Sequence, residues 1–225
     1  MDTSATELNF WRKGLDHLPD EIFNSTGLEV LNASENRLTS VSEAIGNLTS
    51  LHTLDLGHNQ LSDLPESLGR LENLTHYLYL HDNNLTVLRD SLFAGMRRLR
   101  YLNISGNRLA RLPESLGNLQ ALEEFHADDN LLGALPASLG KLTALRELHL
   151  RNTGLREVPE SLRQLTLLNI LDLRGNQFVR IPDWLRDLPE LVKLDLRWTG
   201  LSWKHTPEAQ GWMVALSARG CRVLL

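Results

Sequence analysis

Asparagine recurs along this chain inside one phrase, Leu-x-x-Leu-x-Leu-x-x-Asn-x-Leu, at Asn36, Asn59, Asn83, Asn107, Asn130 and Asn176. Successive spacings are 23, 24, 24, 23 and 46 residues; the last spans two periods, with Thr153 in the missed position and Thr199 one period further on. A fixed period between about 20 and 50 residues marks an array, because one such unit cannot bury its apolar face alone and must stack on its neighbours. Six asparagines and two threonines thus mark eight repeats. A ninth, degenerate copy opens the chain, with Leu8, Phe10 and Leu15 in register and Lys13 where asparagine falls elsewhere.

The residues of the phrase dictate how one unit closes. Period-two alternation in Leu-x-Leu is a short strand with leucines on one face and variable residues on the other. The return path carries leucine at spacings of three and four, as in Leu64, Leu68 and Leu71, which suits a helical or 3₁₀ turn packing on the same core. Pro19, Pro65, Pro113, Pro136, Pro159 and Pro182 each follow the leucine, isoleucine or valine that opens this segment, where a missing amide N–H is tolerated. Leucine supplies 51 of the 225 residues, so one residue type fills one repeated core. The asparagine side chain offers two donors and an acceptor, and is expected to satisfy turn backbone in its own coil and the next. Asn36, Asn59, Asn83, Asn107, Asn130, Thr153, Asn176 and Thr199 are therefore read as a structural ladder. Losing one asparagine leaves a buried group unsatisfied at about 1–3 kcal/mol.

The repeats consume residues 5 to 203, which leaves no room for a second domain. The expected organisation is one solenoid over residues 1–225: an amino-terminal capping repeat at 1–27, eight repeats at 28–203 and a carboxyl-terminal cap at 204–225. The pattern stops after Leu201-Ser-Trp203, and residues 206–219 read as a helix with Thr206 as N-cap, Pro207 in the first turn and Gly220 at the stop. Trp212, Met213 and Leu216 of that helix would cover the last coil, with Cys221–Leu225 as a final strand and Cys221 in the core. One repeat carries an extra residue between Leu71 and Asn83. Either Thr75 replaces Leu74 at the first inward position, or the strand bulges near His76 and Tyr77.

Both halves of the repeat carry a resemblance. Leu51-His-Thr-Leu-Asp-Leu-Gly-His-Asn-Gln-Leu61, followed by Leu64-Pro-Glu-Ser-Leu-Gly-Arg-Leu71, resembles the leucine-rich repeat family, and the match recurs in register along nearly the whole chain. The Leu-Pro-x-Ser-Leu-Gly-x-Leu half is similar to the intracellular type of Scribble-like and Ras-binding scaffolds, plant relatives and effectors of bacterial pathogens. The resemblance implies an α/β, right-handed solenoid. Its parallel sheet lines the concave face, short helical, 3₁₀ or irregular segments form the convex face, and a helix caps the carboxyl end. It also implies a non-catalytic module that binds another protein. The alternative it implies is the substrate-recognition portion of a larger enzyme, such as a bacterial ubiquitin-ligase effector.

Composition narrows the remaining classes. Cys221 is the single cysteine, so neither a disulfide within the chain nor a cysteine-rich metal site is available. No stretch approaches the ~18 consecutive apolar residues of a membrane span, and the opening Met-Asp-Thr-Ser-Ala-Thr-Glu-Leu has neither a basic nor an apolar signal region. The expectation is a cytoplasmic monomer, or one delivered into a host cell if the chain is an effector. A net charge of -5 argues against a phosphate-binding surface, so no nucleic acid and no membrane are expected as partners.

Equivalent variable positions of stacked strands form columns along the sheet. The column between the two central leucines reads Asn9, Asn32, Asp55, Tyr79, Asn103, His126, His149, Asp172, Asp195. Two residues on it reads Trp11, Ser34, Gly57, His81, Ser105, Asp128, Arg151, Arg174, Arg197, and the next residue gives Arg12, Glu35, His58, Asp82, Gly106, Asp129, Asn152, Gly175, Trp198. The preceding flank reads Glu7, Val30, Thr53, Tyr77, Tyr101, Glu124, Glu147, Ile170, Lys193. These columns hold ten acids against five bases, a net of -5 that equals the charge of the whole chain.

Aromatic residues and arginine are the usual anchors of protein interfaces. The candidate partner-binding residues are Trp11, Asp55, His58, Tyr77, Tyr79, His81, Asp82, Tyr101, His126, Asp128, His149, Arg151, Asp172, Arg174, Arg197 and Trp198. A partner is expected to bring basic groups to the amino-terminal part of the face and acidic or hydrogen-bonding groups to the arginine column, unless Asp172/Arg174 and Asp195/Arg197 neutralise each other. His126 and His149, with Glu124, Glu147, Asp128 and Asp172 nearby, are the residue types of a zinc site. A flat ladder does not readily converge tetrahedrally, so the expectation is a solvated pair with no metal and no cofactor. Nor does the chain show the strained nucleophile turn that a serine hydrolase needs, and no catalytic residue is expected.

Overall fold

Each repeat builds a strand of three residues centred on the first inward residue of its Leu-x-Leu motif, short because the chain turns away as soon as its inward residues are buried. A computed structural model describes residues 5–200 and 206–225. Its strands are β1 (Glu7–Asn9), β2 (Val30–Asn32), β3 (Thr53–Asp55), β4 (Tyr77–Tyr79), β5 (Tyr101–Asn103), β6 (Glu124–His126), β7 (Glu147–His149), β8 (Ile170–Asp172), β9 (Lys193–Asp195) and β10 (Arg222–Leu224). They form one parallel sheet in chain order. The central residue of every strand from β2 to β9 points inward and is buried, leucine in each except Phe125 in β6.

The return segments are 3₁₀ turns, running from Asp20–Asn24 to Asp183–Asp187. Six of them start behind a proline whose φ of -60° to -73° is the value its ring imposes. Where proline is missing, Ser42 caps its turn by accepting the Ala44 N–H at 3.2 Å, and Arg89 pairs with Asp63 of the preceding coil. The Ser-Leu-Gly wording has a packing cause: a Cβ on Gly140 would lie 2.3 Å from the Ser161 carbonyl oxygen of the next turn, so neighbouring coils close only over glycine.

The ladder residues are all buried. Asn130 is typical: its Oδ1 accepts the Leu109 N–H at 3.0 Å, and its Nδ2 donates to the carbonyls of Ile104 and Ala127 at 3.0 and 3.1 Å. Asn36, Asn59, Asn83, Asn107 and Asn176 repeat this pattern. The partner coil is the preceding one, not the following one expected from sequence, because the side chain leans back over the turn it has just left. Thr153 and Thr199 donate to the carbonyls of Leu150 and Leu196 in their own coils, since a hydroxyl is too short to bridge as asparagine does. Thr153 recovers a link forward through its backbone N–H, which donates to Asn176 Oδ1 at 3.1 Å.

The extra residue is absorbed as a bulge. Leu74 stays fully buried while Thr75 is half-buried and His76 exposed, so the inward leucine is kept. In a regular repeat two successive amides share one carbonyl, as Glu123 and Glu124 share Arg100. At the bulge they separate, Arg100 N–H going to Thr75 and Tyr101 N–H to His76.

Helix α1 (Pro207–Ala218) follows Thr206, whose side chain accepts the Ala209 N–H at 3.3 Å. Ala209, Trp212 and Leu216 are buried at helical spacing, Met213 is half-buried, and Cys221 joins the same core ahead of β10. The expected end of the repeat pattern at Leu201–Trp203, with the boundary after residue 203, lies outside the described residues.

Candidate functional site

Pairing along the sheet places the columns side by side, with His126 opposite His149, His149 opposite Asp172 and Tyr77 opposite Tyr101. In the central column Asn9, Asn32, Asp55, Asn103, Asp172 and Asp195 each accept, through Oδ1, the backbone N–H two residues ahead, at 2.9–3.3 Å. These side chains make the turn that ends the strand. Tyr79, His126 and His149 occupy the same position and do not make this turn; the Arg151 N–H, two residues past His149, goes to Asp128 Oδ1 instead. Two columns on, the chain enters the left-handed region: Arg12, Glu35, His58, Asp82, Asp129, Asn152 and Trp198 have φ of 51–60°. Gly175 at φ +67° fills the same position at the conformation glycine favours. That column, read from sequence as inner surface, is a turn.

Tyr79, His126 and His149 join one run of rings through the neighbouring column. Tyr77 stacks on Tyr79 at 5.8 Å between ring centroids, and both reach Tyr101, at 5.5 and 5.0 Å. Tyr101 continues to His126 at 5.1 Å, and His126 stacks on His149 at 4.2 Å and 7°. On the other side Tyr79 meets His81 at 5.9 Å and His81 meets His58 at 4.8 Å. His76, expected from sequence only as a place where the strand could bulge, and His52, not among the candidates, extend the chain of rings behind Tyr77. All three tyrosines and six of the eight histidines of the protein are thus in one patch. A cavity of about 210 Å³ opens beside it, lined by His76, Tyr77, Arg100, Tyr101, Glu123 and Glu124.

The arginines of the face are committed elsewhere. Arg174 donates Nε to both oxygens of Asp172 at 2.9 Å, and Arg197 donates to Asp195 at 2.9 and 2.7 Å; both carboxylates are almost fully buried. Burial works against ionisation of Asp172, but the bonds from Arg174 outweigh it and hold the carboxyl below its ordinary value. Arg12 pairs with Glu35 and Arg151 with Asp129. The arginine column is therefore neutralised within the protein. Trp11 and Trp198 lie exposed at opposite ends, each beside the guanidinium of its neighbour, Arg12 or Arg197, far from the central rings.

Around the rings charge is left uncompensated. Among the described residues, Asp55, Glu124, Asp128 and Glu147 have no lysine or arginine ion pair; Glu147 Oε2 lies 3.2 Å from His149 Nε2, and Glu124 Oε2 3.8 Å from His126 Nε2. Burial, then Glu147, raises the Glu124 carboxyl, and burial raises Asp128 although the Arg151 N–H bonds it at 2.6 Å. Burial, then His149 and His81, lowers His126 to about 4. Burial also lowers His81, whereas His58 stays within 3.3 Å of Asp82 on the surface. Burial pushes the Tyr101 phenol up to about 12, with Tyr79 the next cause, and raises Tyr79 as well. Two groups bring metal-ligand atoms within 4.8 Å of one another: His58, His81 and Asp82, and His126, Asp128 and His149.

Among the described residues no helix is long and apolar enough to cross a membrane. A leucine rich repeat family profile matches residues 75–132 and 136–201, more than half of the chain, and a two-copy leucine rich repeat profile matches 26–70. No curated protein sequence matches. The fold is similar to that of a leucine-rich repeat protein of Leptospira interrogans, with TM-score 0.85 and 29% identity over 93% of this chain; the chain spans 52% of that protein. It is similar to Toll in the Toll–Spätzle complex of Drosophila, with TM-score 0.80 and 25% identity over 96% of this chain and 30% of the other. The leucine-rich repeat domain of the type III effector XopL shares the fold, with TM-score 0.77 and 24% identity over 100% of this chain and 78% of that domain. With its repeats in register from β1 to β9 and a family profile covering most of them, the chain belongs to the leucine-rich repeat family.

Proposed function

We propose that this protein is a non-catalytic recognition module that seats a partner protein on the exposed face of its sheet, centred on Tyr77, Tyr79, Tyr101, His126 and His149. The observation that carries the reading is the surrender of the strand-end turn at Tyr79, His126 and His149. Six other repeats keep an asparagine or aspartate there for their own backbone, so these three positions serve something outside the coil. Rings offer large contact area at low entropic cost. The uncompensated Asp55, Glu124, Asp128 and Glu147 call for a basic surface on the partner, since like charges would repel across the interface. The internal pairing of Arg174 and Arg197 withdraws the acidic counterpart expected at the carboxyl end of the face. Similarity to Toll, whose structure was solved as a complex with Spätzle, supports binding of protein by this fold.

We read residues 1–225 as one recognition unit that acts as a monomer, with caps at 1–27 and 204–225 around the repeats of 28–203. A lone, buried Cys221 suits the reducing cytoplasm. The test is affinity capture from the native host with the intact protein beside a Tyr79→Ala/Tyr101→Ala variant of unchanged circular dichroism. Partners retained by the intact chain and lost by the variant support the reading. An identical set of captured proteins would remove the ring patch as the site.

A further inference from the structure

We propose that His126, His149 and Asp128 form a binding site for a transition-metal ion, with zinc(II) the ion this ligand set suits. Two imidazoles and one carboxylate, with a fourth position open, are a recurrent zinc arrangement. The three residues are half-buried, and one ligand atom of each lies within 4.8 Å of the others. Ligands at 2.0–2.2 Å from a tetrahedral ion stand about 3.4 Å apart, so closing the site asks for a shift of about 1.4 Å at most. The histidine rings are stacked in parallel at 4.2 Å, and their in-plane lone pairs do not yet converge. Rotation about χ2, a torsion with a broad well, turns them inward without moving β6 or β7.

The surroundings favour a cation. Glu147 Oε2 stands 3.2 Å from His149 Nε2 and Glu124 Oε2 3.8 Å from His126 Nε2, the placement of the outer carboxylates that orient metal-binding imidazoles. With Nε2 turned to its glutamate, each ring keeps Nδ1 for the ion. His126 Nε2 is buried with no hydrogen-bond partner, and a shorter approach to Glu124 in the closed site would supply one. No lysine or arginine forms an ion pair with these carboxylates among the described residues. The choice of histidine in two successive repeats also costs each coil the side-chain turn that its neighbours Asn103 and Asp172 make. The second group also holds a buried, unpartnered nitrogen, His81 Nδ1, but its His58 and Asp82 are half exposed and already paired at 3.3 Å in the left-handed turns.

The experiment is calorimetric titration of zinc chloride into the chelator-stripped full chain at neutral pH, with cobalt(II) absorption to report tetrahedral geometry. One ion per chain is expected, bound more tightly than about 100 µM. His126→Asn and His149→Asn each install the side chain that other repeats carry at this position, so the coil stays folded, as circular dichroism verifies. Each substitution is expected to weaken binding by at least ~100-fold and Glu147→Gln by ~10-fold, with His58→Ala without effect. Binding weaker than about 100 µM, affinity unchanged in both asparagine variants, or loss in His58→Ala would overturn the site. A stoichiometry of half an ion per chain would overturn it too, by pointing to an ion shared between two molecules. None of these readouts requires the partner protein, so failure here leaves the recognition surface standing.

Discussion

Replacing Asn130 by alanine tests whether the ladder holds neighbouring coils together or merely fills space. The side chain is 2% exposed. Its loss leaves the Leu109 N–H without the acceptor it has at 3.0 Å, at about 1–3 kcal/mol for a buried donor. It also removes the donors to Ile104 and Ala127 at 3.0 and 3.1 Å, each worth about 1 kcal/mol net. The sum is a destabilisation of about 3–5 kcal/mol. Threonine at this position can restore a bond to the Ala127 carbonyl, as Thr153 does to Leu150 at 2.9 Å, so Asn130→Thr should cost about 1 kcal/mol less. Urea unfolding followed by circular dichroism measures both differences, and native-state hydrogen exchange localises them, with the Leu109 amide losing protection before its neighbours. Three results would each refute the reasoning: an alanine variant within 1 kcal/mol of the parent (about the worth of one bond), a threonine variant no better than alanine, or unchanged Leu109 protection.

Further outcomes follow from the same geometry. Tyr101, raised to about 12 chiefly by burial, should give a late step in the tyrosinate absorbance titration, and Tyr101→Phe should delete that step. Because its folded pKa lies above the ordinary value of 10.0, the stability it contributes is complete below that value and drains away as pH rises toward about 12; the phenylalanine variant should show a flatter alkaline unfolding profile. Gly175→Ala should cost about 1–2 kcal/mol, since φ is +67° and the new Cβ would sit 1.8 Å from Asn152 Oδ1; a variant as stable as the parent in thermal unfolding contradicts this. Asp195→Ala should cost about 2 kcal/mol by stripping Arg197 of bonds at 2.9 and 2.7 Å. If that pair were solvated and idle, the melting temperature would not move.

Much of the sheet was readable because register is an arithmetic property of the repeat. Spacings of 23 and 24 residues put His126 beside His149 and Tyr77 beside Tyr101 before any coordinate is known, and the strand pairing has these neighbours. Leu74 and Thr75 could not be told apart that way, since either keeps the count. Burial decides for Leu74 because a strand can bulge more cheaply than a core can lose a leucine. The direction of the asparagine ladder was not legible either. The side chain carries donors and an acceptor in every orientation, and only the backbone path shows which coil's carbonyls lie within reach.

Composition located the excess of acid on one face, yet Arg174 and Arg197 could as well have faced a partner as their own repeat. Their bonds to Asp172 and Asp195, within the same strand-turn unit, exist because both carboxylates are buried at the strand ends and have few other cations within reach. The left-handed column is hidden in the sequence because seven non-glycine residues occupy it, masking the signal that Gly106 and Gly175 carry.

Period and polarity alone were enough to set the repeat, the inward leucines, the carboxyl-terminal helix and which residues are neighbours on the sheet. Which neighbours act on each other depends on how the coils pack. Ion pairing, ring stacking and the Oδ1 turns depend on side-chain direction and depth, and those are set when successive coils close to hydrogen-bonding distance. In that packing most strand-end polar residues are used by the fold itself, and Tyr79, His126 and His149 are left facing outward.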